Sequence, residues 1–130
     1  MKRDYLVPIS LFLVGLLILT SGWGTYFLLD KDSMKLLAPV EEILVSIENN
    51  NWKEVNQHLN IINQIWEEVS VYWPMLIHHQ EMDRIEESLN KLKSYLLHQD
   101  KNQAMAELYN LIYFIKHIPQ KEAFNIQNVF

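Results

Sequence analysis

The residues whose types could do chemistry are His78, His79, Glu81 and Asp83, within the stretch WPMLIHHQEMDRI. Imidazoles and carboxylates ligate metal ions or exchange protons near neutral pH. Their spacing argues against a shared ion. Neighbours on a helix point about 100° apart, so His78 and His79 diverge. His79 with Asp83, or His78 with Glu81, could each pair along a helix, but a zinc site needs three or four ligands. The remaining histidines, His58, His98 and His117, are isolated in sequence. The glutamate–x–x–histidine pattern of di-iron bundles is absent. No metal ligand set and no cofactor are expected, and these four residues stay as candidates for a functional polar site. The plainer expectation for His78 is a core imidazole hydrogen-bonded to a tyrosine, a carboxylate or a carbonyl.

Other catalytic constellations are missing. Glu41–Glu42, Glu67–Glu68 and Glu86–Glu87 are sequence neighbours that face different directions, as solvated faces do. Ser33, Ser46, Ser70, Ser88 and Ser94 lack a nucleophile-elbow context. The only glycines are Gly15, Gly22 and Gly24, so no phosphate-cradling loop is available beyond them. The absence of cysteine excludes disulfides, thiolate metal sites, a cysteine nucleophile and a lipobox-type lipid anchor. The expectation is a protein that is not an enzyme. Trp52, Trp66 and Trp73 share one stripe at helical spacing. Such aromatics form a core or, alternatively, a groove for a partner.

These residues must be positioned by helices. Apolar residues recur at spacings of three and four. Leu36, Val40, Ile43 and Ile47 form a first stripe. Trp52, Val55, Leu59, Ile62, Trp66, Val69 and Trp73 form a second. Met75, His78, Met82, Ile85, Leu89, Leu92 and Leu96 form a third, and Ala104, Leu108, Leu111, Ile115 and Ile118 a fourth. Nothing alternates as a strand does. The pattern predicts helices near 34–49, 51–72, 75–99 and 101–118. Asparagines at Asn49–Asn51 can cap helices and take left-handed geometry, and Asp100 can cap the fourth helix. Pro74 fits the first turn of the third helix; a turn at Trp73–Pro74 explains the phase change better than one kinked helix. Val55, Leu59, Ile62 and Trp66 match Ala104, Leu108, Leu111 and Ile115 at an offset of 49, which suggests two packed helical hairpins. Phe124, Ile126, Val129 and Phe130 are expected to pack back on the bundle.

Ahead of these helices, Tyr5–Leu29 carries no charge. Roughly 20 helical residues cross a hydrocarbon layer, so residues 5–29 are read as a membrane span contacting lipid. A cleaved signal peptide is the competing reading, but no good small-x-small site follows a short apolar core. Lys2 and Arg3 precede the span, which orients the amino terminus to the cytoplasm and the rest outside. The division is therefore residues 1–30 as anchor and 31–130 as a soluble helical bundle. The chain's net charge is −5, and all acidic residues but Asp4 lie from Asp30 onward, where Arg84 is the lone arginine. Nucleic acid, which needs a basic stripe, is excluded as a partner.

Several landmarks resemble a known bacterial family, the domain of unknown function numbered 4363. They are NNW at Asn50–Trp52, Trp66 and Trp73, HQEMDRIEESLNKLKSYL at His79–Leu96, and NVF at Asn128–Phe130. The resemblance implies a small membrane-anchored helical protein of Gram-positive, often spore-forming, bacteria. It also implies a multi-spanning membrane protein as neighbour, and it carries no activity. The resulting expectation is an all-α, single-pass, non-enzymatic accessory protein that meets another membrane protein or itself. The alternative is an extracytoplasmic metal- or pH-sensing module centred on His78–Glu81.

Overall fold

The structure, a computed structural model, describes residues 5–129, with side chains as far as Ala123. Four α-helices account for nearly all of it: α1 (Leu6–Glu48), α2 (Trp52–Val69), α3 (His79–Leu97) and α4 (Lys101–Val129). A single 3-10 turn, Trp73–Met75, lies between α2 and α3. Among the described residues there is no strand. The all-α class is as the periodicity predicts.

α1 packs along α2 and α4, and α4 packs along α3. The side-chain bonds give the direction. Ser46 Oγ donates to Glu54 across the α1–α2 turn, while Tyr72 reaches back to Asp32. Ser88 donates to Glu107 and Lys121 to Glu81. Each pair of helices is thus an antiparallel hairpin, and the hairpins meet through α1 and α4. The turns Asn49–Asn51 and His98–Asp100 lie at one end of the bundle. The α2–α3 connector lies at the other, where the apolar half of α1 emerges.

The two short turns repeat one chemistry at the offset of 49. Asn50 and Gln99 both hold left-handed φ, 54° and 53°. In each turn the next amide bonds a carbonyl five residues back, Asn51 to Ser46 at 2.8 Å and Asp100 to Tyr95 at 2.9 Å. This is the helix-ending motif that satisfies orphan carbonyls. Asn51 and Asp100 then cap the following helices, accepting from the amides of Glu54 and Gln103. The capping expected of both residues is therefore present, and the internal repeat extends into the turns.

Three boundaries differ from the sequence reading. The segment read as an anchor and the first bundle helix are one helix of 43 residues. Asp30–Met34 contains neither glycine nor proline, so no residue there stops the ladder. Pro39 sits inside α1, buried. α3 begins at His79 rather than at residue 75, because Pro74 initiates the 3-10 turn. α4 runs past Pro119 to Val129 instead of ending near 118. The expected packing of Phe124, Ile126, Val129 and Phe130 concerns side chains outside the described residues.

The first and fourth stripes are core throughout: Leu36, Val40, Ile43, Ile47, Ala104, Leu108, Leu111, Ile115 and Ile118 are all buried. In the second, Val55, Ile62, Val69 and Trp73 are buried, and Trp52, Leu59 and Trp66 are half-buried against them. The third stripe holds from Met82 to Leu96 but fails at its start. Met75 is 77% exposed, and His78 is exposed as well. His78 is therefore not a core imidazole. It precedes α3 in extended geometry (φ −67°, ψ 141°), and Ile77 and Glu81 occupy the inward positions instead.

Candidate functional site

Asp32, Ser33 and Glu81, three of the buried polar groups, lie toward the end of the bundle where the apolar half of α1 emerges, whereas the buried Ser46 sits at the other end. Asp32 lies one turn beyond Leu29 on the inner face of α1 and is 3% exposed. Its Oδ2 accepts from the Tyr72 hydroxyl at 2.5 Å and from Trp73 Nε1 at 3.2 Å. One carboxylate oxygen thereby ties the α2–α3 connector to α1. Trp73 is fully buried and meets Trp66 edge-on, with ring centroids 6.0 Å apart. Burial, the bond to Asp32 and the negative charges of Asp32 and Glu68 push the Tyr72 phenol up to about 12.

Glu81 is the second buried acid, 6% exposed. Lys121 Nζ donates to its Oε1 at 2.8 Å, and Arg84 stands 3.9 Å from its Oε2. The bond from Lys121 holds the Glu81 carboxyl below its ordinary range. Burial opposes that effect, and the charges of Lys121, Arg84 and His117 reinforce it. Ser88 is also buried and donates to Glu107 at 2.5 Å. Buried polar groups with partners on another helix fix how the helices register.

The predicted candidates divide accordingly. His78, His79 and Asp83 are exposed, while Glu81 turns inward to Lys121. The four do not converge. Among the described residues no group of three or more His, Asp or Glu side chains could hold a metal ion. Of the tryptophans, Trp73 is inside the core, and Trp52 and Trp66 are half-buried on it. A partner groove built on all three is therefore not present. A surface ion pair forms farther along α3, Glu87 with Lys91 at 2.6 Å. Asp32 and Lys121 escaped the sequence reading. The signal was there: Asp32 and Glu81 both fall on the apolar stripes, three after Leu29 and four before Ile85. A carboxylate at a core position marks a buried pair.

A model of the family described as a domain of unknown function, DUF4363, matches residues 23–129. The chain belongs to this family. The DUF4363 match begins at Trp23, inside the apolar run, and covers the whole bundle; residues before it lie outside the match. No curated protein and no solved structure matches this chain. Membership of DUF4363 carries no activity with it, so function must be argued from the geometry above.

Proposed function

We propose that this DUF4363 protein is a single-pass, membrane-anchored accessory protein without enzymatic activity, which holds an acidic helical bundle against another membrane protein or a second copy of itself. The observation that carries this is α1. It is long and apolar enough to cross a membrane, and from Leu6 to Leu28 its large apolar side chains stand mostly exposed, whereas from Leu29 the same helix lines the bundle core. Such an apolar surface needs lipid or protein around it. The connector at the same end adds Val71 and Met75, each more than three-quarters exposed, as an apolar rim next to the emerging helix. The amino terminus is cytoplasmic and the bundle external in this reading, following Lys2 and Arg3.

Two measurements test it. Affinity purification of the tagged full chain from detergent extracts should return a stoichiometric membrane protein, or a defined oligomer of the chain. Recovery of a lone monomer under mild extraction counts against the accessory role. Protease added to intact cells should digest the bundle; digestion only after lysis overturns the orientation.

A further inference from the structure

α1 and α4 border a half-open cavity of about 240 Å³ at the level where the uncharged run of α1 ends. Its lining includes Tyr26, Asp30 and Ser33 from α1, and Lys116, Pro119 and Gln120 from α4. Ser33 is 2% exposed, and its Oγ is the buried side-chain polar atom left without a partner among the described residues. Other hydroxyls of α1 behave differently. Ser10, Thr20, Ser21 and Thr25 all donate to carbonyls one turn back, the usual outcome in a helix. Asp30 has no ion pair or side-chain hydrogen bond among the described residues, and Lys116 reaches only Glu41, at 4.0 Å with both side chains half-exposed. Asp30 and Lys116 both line the cavity without pairing with each other.

We propose that this cavity binds a phosphoethanolamine group, the headgroup of a zwitterionic phospholipid, with its ammonium on Asp30 and its phosphate on Lys116, Ser33 and Gln120. A carboxylate and an ammonium in one small cavity, with an unfilled hydroxyl donor, match a ligand carrying both charges. An anionic headgroup without an amine meets the repulsion of Asp30. A choline group offers no N–H for Asp30, and recognition of a quaternary ammonium calls for an aromatic cage, of which Tyr26 is a single wall. The lipid source rests on the membrane reading above; a soluble phosphoethanolamine carries the same chemistry.

The full-length protein is reconstituted in nanodiscs of equal parts phosphatidylethanolamine, phosphatidylcholine and phosphatidylglycerol. It is then re-extracted in mild detergent, and the retained lipid is counted by mass spectrometry. Phosphatidylethanolamine should be enriched about tenfold, the scale of one charge-assisted hydrogen bond. Asp30→Asn and Lys116→Ala should each return the ratio to that of the bulk lipid. Ser33→Ala should lower the enrichment yet raise the melting temperature of lipid-free protein, because it removes an unpaired buried hydroxyl; a purely structural hydroxyl would lower both. Equal retention of the three lipids, enrichment of phosphatidylglycerol, or enrichment untouched by Asp30→Asn and Lys116→Ala would each overturn the site. Carbonate extraction of membranes tests the anchor separately. Release of the chain sinks the anchor alone, and the site then stands or falls on the soluble ligand. Millimolar phosphoethanolamine must raise the melting temperature, inorganic phosphate must not match it, and Asp30→Asn must abolish the effect.

Discussion

Asp32 serves two donors with one oxygen, and both donors belong to the connector. Asp32→Ala strands the Trp73 indole N–H in the core and releases Tyr72. The expected cost is about 2–4 kcal/mol, from two bonds to a charged acceptor and one buried donor left unpaired, read as a lower denaturation midpoint. Asp32→Asn keeps an acceptor and should cost about half as much. The raised pKa of Tyr72 has a defined sign. Its contribution is whole below pH 10.0, the ordinary value, and is lost as the pH rises toward about 12. Glu81 runs the opposite way. Its folded value is lowered, so its contribution is whole above 4.5 and is lost as the pH falls below that. Melting temperatures measured from pH 6 to pH 3 should fall more steeply for the native chain than for Glu81→Gln. Identical slopes would show that Lys121 does not stabilise the ionised form. By contrast, His78→Ala and His79→Ala together should change stability by no more than about 0.5 kcal/mol, as exposed substitutions do.

Among the elements, the α3–α4 turn offers the sharpest test. Gln99 pays the left-handed penalty with no side-chain hydrogen bond among the described residues to offset it. Gln99→Gly should therefore stabilise by about 0.5–1 kcal/mol, seen in chemical denaturation. A loss of stability would mean the Schellman-type geometry is not the solution structure. The same elements show what the sequence could reveal. Leu36 to Ile47 and Ala104 to Ile118 were legible as core because spacing and apolarity agree there. Asn51 and Asp100 were legible as caps because their types and positions permit little else. Met75 and His78 were misread because apolar spacing was counted from Pro74 as though a helix began there. The 3-10 turn rotates the chain before α3 starts, so Ile77 and Glu81 face inward instead. Spacing puts Glu81 on the inward face but does not name its partner, because Lys121 lies 40 residues away. The cavity at Ser33 was invisible for the same reason: it exists only where two distant helix segments fail to fill space.

For the whole molecule, the continuity of α1 is the governing feature. At about 1.5 Å per residue, its 43 residues form a rod with a contour of about 65 Å, carrying Pro39 within its bundle half. No glycine or proline lies between Gly24 and Pro39, and α2 and α4 brace the rod from Leu29 onward. Inserting Gly-Pro-Gly after Leu28, outside the core, should leave the bundle folded, with little change in the far-UV helical signature. It should also broaden the distribution of distances between a spin label at Leu13 and one at Val45, which in the native chain should be narrow.

A helix with no glycine or proline between Gly24 and Pro39 makes the bundle a pointer. With residues 5–29 seated in a bilayer, a thicker hydrocarbon layer stands the helix upright and a thinner one leans it over. The part from Leu29 to Glu48 extends about 30 Å, so every 10° of lean would swing the Asn49–Asn51 turn sideways by about 5 Å. Bilayer thickness would thereby be written into where the far tip of the protein stands.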